Sequence, residues 1–375
     1  MAGMKKRIAV LGSTGSIGQQ TLQIARAFPE RLDVVALAAG NNVDLLQQQA
    51  DEFHPQMISC AGTIQVEVTH ELTLHEIASH PEVDLVVVAT SGAVGLEPTL
   101  AAVRSGKTVA LANKEVLVMA GAIVMAEAQR FGVGIKPVDS EHSAIWQCLQ
   151  GEGQSEIERI ILTASGGAFR DRPVADLAHV TAEQALRHPT WNMGRKVTID
   201  SANLMNKGME VIEAHWLFGV PFDRIRVMVN PGSIIHSMVE FTDGSVKAQL
   251  GVPDMRLPIQ YAISHPERWA NPELTKLDFN EIDSLKLLPI DLSRYPCLKL
   301  AFEVGEAGGT LPAVLSAADE VAVSLFLDGK IGFLDISRLL EDTLGQHSRV
   351  EDPSLDDILS ADAWAREMAQ RWCPA

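Results

Sequence analysis

The chain lacks what would tie it to a membrane, to nucleic acid or to an oxidising compartment. No apolar run reaches the ~18–20 residues needed to span a bilayer. Lys5-Lys6-Arg7 leads straight into the apolar run Ile8-Ala9-Val10-Leu11, so no signal peptide is expected. The four cysteines (Cys60, Cys148, Cys297, Cys373) lie far apart, with no C-x-x-C pair and no metal-ligand spacing. Buried thiols in a reducing, cytoplasmic setting are therefore expected. A basic surplus is also missing. The net charge of −17 argues against a nucleic-acid surface, and it means that any anionic substrate must be held by local donors against the global field.

What is present points to a sizeable α/β protein. A length of 375 residues suggests two or three domains at roughly 100–200 residues each, and 46% apolar content can fill their cores. The run Lys6 to Leu11 reads as a strand and is followed by Gly12-Ser13-Thr14-Gly15-Ser16-Ile17-Gly18, then by a helical pattern from Gln19 to Ala27. In a strand–Gly-rich turn–helix unit, backbone N–H groups and the helix N-terminus bind a pyrophosphate. The glycines fall as G-x-x-G-x-x-G, a variant of the dinucleotide fingerprint; a bare tight turn is the plainer alternative. A P-loop is excluded because Gln19-Gln20 stand where Lys-Ser/Thr would be. Further apolar β-runs follow at βαβ spacing: Leu32 to Ala39, Met57 to Cys60, Asp84 to Thr90, Thr108 to Ala112 and Gly134 to Val138. Continuous apolar strands predict a parallel, Rossmann-like sheet covered on both faces.

The strand ends carry the candidate polar groups. After the second strand stands Ala39-Gly40-Asn41-Asn42, where an NAD enzyme usually places an acid on the ribose 2′-hydroxyl. Without that acid the preference moves toward NADP, although no Lys or Arg is there either. Asn113-Lys114-Glu115 ends the fifth strand, on the edge where open α/β sheets bind ligands, which makes Lys114 a functional candidate.

Beyond Gly151 the pattern changes to an α+β one. β-runs are expected at Arg159 to Ala164, Lys196 to Ile199, Ile225 to Val229, Ser233 to Phe241 and Val246 to Leu250, the last two joined by the hairpin signal Thr242-Asp243-Gly244-Ser245. Ser165-Gly166-Gly167 suits an anion nest or an ordinary glycine turn. His188-Pro189-Thr190-Trp191-Asn192-Met193-Gly194 reads either as a water-excluding lid or as a loop whose Trp191 plugs the core. Asn206, Lys207 and Glu210 sit three and four apart and share one helix face. Asp139-Ser140-Glu141-His142 supplies two more carboxylates around a hydroxyl. Three carboxylates from two helix starts suit a hard divalent cation that keeps positions open for substrate oxygens, against the plainer reading as N-caps and a solvated pair. The division expected is residues 1–150 for a dinucleotide domain, 151–264 for a catalytic domain, 265–296 for a proline-rich connector and 297–375 for a helical bundle. In that last part Leu311, Val314, Leu315, Ala318, Ala322 and Leu325 keep helical spacing.

Taken in order, seven pieces resemble one family, the 1-deoxy-D-xylulose 5-phosphate reductoisomerases. They are Gly12 to Gly18, Leu111 to Glu115, Val138 to His142, Thr163 to Gly167, His188 to Trp191, Met193 to Lys196, and Met205 to Gly208 with Glu210. The resemblance implies NADPH and one divalent cation, Mg²⁺ or Mn²⁺, acting on a sugar phosphate in a homodimer. It implies that Asp139, Glu141 and Glu210 hold the metal and that Lys114 and Ser140 contact the substrate beside it. Ser165, His188, Ser201, Asn206 and Lys207 would hold the phosphate. Gly12, Thr14, Gly15, Ser16, Ile17, Gly40, Asn41, Asn42, Asn113, Glu115 and Gly194 would line the cofactor. Trp191 and Met193 would lie in the lid, with Met255 packed nearby, and Lys114 and His188 would join the metal ligands as catalytic groups. One departure stands out: the family more often has a basic residue at the position of Asn41. The nearest rivals are dehydrogenases of the aspartate-semialdehyde or homoserine type and a non-enzymatic dinucleotide sensor. The first is unsupported because no cysteine of this chain sits in a nucleophile context; neither dehydrogenase explains three acids beside a Ser/Lys cluster, and a sensor would leave those clusters idle.

Overall fold

The structure is a computed structural model that describes residues 5–62, 70–191 and 193–373, so Asn192 of the His188–Gly194 loop lies outside the described residues. In chain order the elements are β1 (Lys6–Leu11), α1 (Ser16–Ala27), β2 (Leu32–Ala38), α2 (Val43–Phe53), β3 (Met57–Ser59), β4 (His70–Glu71), α3 (Leu74–Ser79), β5 (Leu85–Val88), α4 (Leu96–Arg104), β6 (Thr108–Leu111), α5 (Lys114–Phe131), β7 (Ile135–Pro137) and α6 (Ser140–Cys148). There follow β8 (Ile157–Ala164), α7 (Ala182–Ala185), α8 (Arg195–Asn203), α9 (Met205–Phe218), β9 (Ile225–Val229), β10 (Ile235–Phe241), β11 (Val246–Leu250) and α10 (Arg256–Ser264). The chain ends with β12 (Leu288–Pro289), α11 (Pro296–Ala307), α12 (Leu311–Leu327), α13 (Asp335–Gln346) and α14 (Leu355–Gln370).

Two compact units result. The first holds the chain through Val116, with Ala122–Ser143 and Asp254–Thr275. Its strands pair in the order β4-β3-β2-β1-β5-β6-β7, all in parallel. The continuous apolar runs are the cause: all four residues of β5 are buried, as are the last four of β1. The two-residue strand β4 could not be foreseen from the sequence because two residues carry no period. Strand order turns back between β1 and β5, and the loops after those two strands touch. Gly12 has φ +89°, and a Cβ there would stand 2.5 Å from the carbonyl oxygen of Ala89. That is the switch point where doubly wound sheets bind ligands. Helix α10 puts Ile259, Ala262 and Ile263 into the same core as Ile8 and Val10, so this late segment packs with the start of the chain.

The second unit has a mixed sheet in the order β11-β10-β8-β9-β12. β8 and β9 are parallel and the other pairs antiparallel. The expected hairpin closes at Gly244 (φ +85°), with Phe241 N donating to Ser245 O at 2.9 Å. One expectation fails: Lys196 to Ile199 is not a strand but lies in helix α8. Val197, Thr198 and Ile199 are β-branched and favour strands locally. Tertiary and helical contacts outweigh that preference. Thr198 Oγ1 bonds back to Gly194 O at 2.9 Å, Lys196 pairs with Asp200 one turn on, and Ile199 is wholly buried. Leu204, at φ 62°, separates α8 from α9, and the side-chain oxygen of Asn203 takes Met205 N at 2.8 Å. Gly219, also left-handed, ends α9. Helix α11 packs onto α9, with Cys297 and Ala301 in the shared core, and α12 packs against α8. At the closest approach a Cβ on Gly208 would stand 2.4 Å from Ala301 Cβ.

Candidate active site

The first unit offers a dinucleotide edge. Helix α1 opens at Gly15 with no side-chain cap and no acidic residue in its first turn, so its N–H groups and positive dipole end suit an anion. Thr14, Gly15, Ser16 and Ile17 are exposed or half-buried around that opening. Gly18 serves packing instead. A Cβ there would lie 2.2 Å from Gly12 O, so only glycine lets the helix start this close to the turn. The turn is locked to α2, since Ser13 Oγ donates to Gln49 Oε1 (2.7 Å) and Gln49 Nε2 to Ser13 O (3.0 Å). Gly40, Asn41 and Asn42 are exposed after β2. Asn42 caps α2 by accepting from Leu45 N at 3.3 Å, which accounts for it without a ligand. Asn113 is likewise engaged. Its oxygen accepts from Val116 N, its amide donates to Gly92 O (2.9 Å), and it is 2% exposed.

Lys114 and Glu115 begin α5 just after that cap, and Lys114 Nζ donates to Asp139 Oδ2 at 2.8 Å. Asp139 also accepts from Ser140 N at 2.9 Å, and Ser140 Oγ donates to Glu141 Oε2 at 2.5 Å. The acidic pair thus starts α6 already oriented by an ammonium and a hydroxyl.

The second unit carries the donors suited to a phosphate. Gly166 and Gly167 both take positive φ (+88° and +69°), and a Cβ on Gly167 would stand 2.2 Å from Ser201 O. The glycine turn therefore rests directly on α8 and brings Ser165 toward Ser201. Ser165 Oγ lies 2.9 Å from His188 Nε2 and accepts from Gly167 N at 3.1 Å. His188 Nδ1 accepts from both Thr190 N (3.1 Å) and Trp191 N (2.8 Å), which places the ring proton on Nε2. Ser165 Oγ thus accepts twice, leaving its own O–H to donate outward. On α9, Asn206 Nδ2 donates to Glu210 Oε1 (2.5 Å) and Lys207 Nζ to Glu210 Oε2, so the face predicted from spacing is formed. Lys207 and Glu210 are buried.

Burial pushes His188 down from 6.5 to about 4, so the ring is neutral at neutral pH. Because its folded value lies below its unfolded one, the unfolded chain takes up the proton first. The contribution of this loop anchor is whole above about 6.5 and is lost as pH falls toward 4. Thermal midpoints measured across that window should fall for the parent chain and fall less steeply for His188→Gln. Trp191 is half-buried, its ring 6.1 Å from that of His236, so it neither plugs the core nor stands free. Met193 is half-buried, and exposed Gly194 is the N-cap of α8. Met255 packs on the core of the first unit.

Three residues to which sequence pattern assigns no role stand close to this chemistry. His236 is 6% exposed under Trp191 and was hidden because sheet register, not local pattern, puts it there. Glu213 lies three residues beyond Glu210 on α9, a spacing that signals the same face. His142 ends the Val138 to His142 motif but carries no pattern of its own. Candidate metal-ligating groups thus stand in each unit: Asp139, Glu141 and His142 at the start of α6 in the first, and Glu210 and Glu213 on α9 in the second.

Comparison with known proteins agrees with this geometry. Residues 8–121 match the family description 1-deoxy-D-xylulose 5-phosphate reductoisomerase, residues 135–218 its C-terminal domain, and residues 250–368 the DXP reductoisomerase C-terminal domain. The reductoisomerase of Heliobacterium modesticaldum is 53% identical over 98% of this chain and 97% of its own length. That of a Geobacillus species is 51% identical over 96% and 98%. Among solved structures, the Zymomonas mobilis reductoisomerase in complex with NADPH superposes with a TM-score of 0.90 at 41% identity, covering 98% of both chains. A reductoisomerase complex with NADPH, fosmidomycin and magnesium gives 0.89 at 40%, covering 97% of both. With family models along most of its length and relatives above half identity, the chain belongs to the 1-deoxy-D-xylulose 5-phosphate reductoisomerase family.

Proposed function

We propose that the protein converts 1-deoxy-D-xylulose 5-phosphate to 2-C-methyl-D-erythritol 4-phosphate. It rearranges the carbon skeleton by retro-aldol and aldol steps, then reduces the branched aldehyde with NADPH, as a step of isoprenoid precursor synthesis. One observation carries the reading. The buried carboxylate of Glu210, which with Asp139 and Glu141 would make up the cation's ligands, is held by Asn206 and Lys207, residues suited to the substrate's phosphate end.

The donor set fits the implied cation. Asp139, Glu141 and Glu210, three carboxylates with no thiolate among them, would hold Mg²⁺ or Mn²⁺. The turn at α1 fits a pyrophosphate, being uncapped and without acid. When bound, the cation supplies Lewis-acid polarisation of the ketose oxygens and NADPH supplies the hydride. The chain's own residues do the rest. Lys207 places a point charge on the phosphate. Ser165, oriented by neutral His188, and Ser201 and Asn206 add donors that carry no further charge, which suits reversible binding of a dianion. Lys114 and Ser140 hold the acidic pair through their hydrogen bonds and reach the substrate backbone. Trp191 and Met193, in a loop bounded by Pro189 and Gly194, close over the site and exclude water.

A homodimer is part of this proposal, supported by β11. It is the outer strand of its sheet, with Val246, Lys247 and Ala248 exposed, and so can pair with a second edge. A cytoplasmic location is supported by four unpaired cysteines, and among the described residues no helix is long and apolar enough to cross a membrane. The deciding assay follows NADPH consumption. Turnover is expected only with the ketose phosphate and Mg²⁺ or Mn²⁺ together, and slower with NADH; no turnover with all components present would remove the assignment.

A further inference from the structure

We infer that Asp319, on helix α12, is a positioning residue for the phosphate end of the site, acting through Lys196. Lys196 Nζ lies 2.7 Å from Asp200 Oδ2 on its own helix, α8, and 2.7 Å from Asp319 Oδ2 on α12. It also reaches Met209 Sδ on α9 at 3.8 Å. One ammonium therefore joins three helices. The side chains of Asp200 and Asp319 are 2% and 0% exposed. The node carries two carboxylates for one cation. Burial, and then the charges of Asp319 and Asp200, push the thiol of neighbouring Cys297 well above its ordinary range.

A buried ionic node is a poor device for stability alone. Apolar residues of the same volume serve that purpose as well or better, whereas charged partners at fixed distances define one arrangement. What this arrangement holds is informative. Asp200 immediately precedes Ser201, and α9 carries Asn206 and Lys207 on its first turn. Met193 and Gly194 end one residue before α8 begins at Arg195. Besides the packing of α11 on α9, the C-terminal helices thus reach the phosphate donors through an ion pair from Asp319 to Lys196. A shift of about an ångström in α8 would misplace Ser201 and the glycine turn resting on it, and misplacements of that size are enough to weaken binding and turnover.

The inference rests on the reading of Ser165, Ser201, Asn206 and Lys207 as phosphate donors, and its test separates the two. In the full-length enzyme, Asp319→Asn should raise the KM for the sugar phosphate by about tenfold, with kcat changed less than about threefold and the KM for NADPH unchanged. Stabilisation of the protein by inorganic phosphate, read as a thermal shift, should shrink in the same variant, and this needs no turnover at all. Lys196→Arg, which keeps the charge balance but changes the reach, should act in the same direction and serves if the Asn variant does not fold. Folded variants with a lower thermal midpoint but unaltered phosphate response and sugar-phosphate KM would overturn the inference. So would equal losses toward both substrates. A parent enzyme that inorganic phosphate stabilises but that never turns over would instead count against the function proposed above.

Discussion

Glu210→Gln should lower turnover by about 10³-fold or more, about 4 kcal/mol of barrier, while NADPH still binds. Glu210 is 1% exposed and spends both oxygens on donors, Asn206 and Lys207, in addition to its proposed role as a metal ligand. The amide keeps the shape but turns one oxygen into a donor, which faces the cationic or amide neighbour it used to accept from. It also removes one of three charges that a divalent cation requires. Lys207 is left buried without its counter-charge, so a lower thermal midpoint is expected alongside the kinetic loss. NADPH binding, followed by its fluorescence, should stay near the parent value because the turn at α1 is untouched. Activity within about tenfold of the parent would mean that Glu210 is not a ligand.

Gly12→Ala should remove most NADPH binding and destabilise the first unit. The backbone at this position is at φ +89°, where an L side chain costs on the order of 1–3 kcal/mol. The added Cβ would also meet Ala89 O at 2.5 Å, Ala89 C at 2.6 Å and Thr90 N at 2.8 Å. All three are backbone atoms at the end of the strand beside β1, so no side chain can swing aside, and relief must come from spreading β1 from β5 or re-routing the turn. Either change moves the uncapped helix start. Gly40→Ala provides an internal control: it meets nothing within 4 Å and has no positive φ, so it should leave stability nearly unaltered. If Gly12→Ala binds NADPH as well as the parent chain does, the turn after β1 is not the pyrophosphate site.

Much of this was legible in the residues alone because the signals were local. The turn Gly12 to Gly18 announces itself by spacing, and the parallel strands by unbroken apolar runs that only a sheet covered on both faces can bury. Asn206, Lys207 and Glu210 were placed together by helical periodicity, and their side chains do meet. Other features had no local signal. Lys196 to Ile199 carries strand-like residues, yet burial of Ile199 and ion pairs to Asp200 and Asp319 make it helical. Asn113 reads as a candidate cofactor contact, but its amide is occupied by Gly92 and its oxygen by Val116.

Sequence by itself determined the class of fold, the dinucleotide turn, the shared face of α9 and the acidic pair at Asp139 and Glu141, because each is set by residues within a turn or two of one another. Tertiary structure alone decided that Asp254–Thr275 packs with the start of the chain, that His188 keeps its proton on Nε2 toward Ser165, and that Lys196 answers to a carboxylate on α12. Those outcomes depend on groups brought together by burial across long stretches of chain. Burial strengthens the charge and hydrogen-bond interactions that then choose among alternatives which local propensity leaves nearly equal.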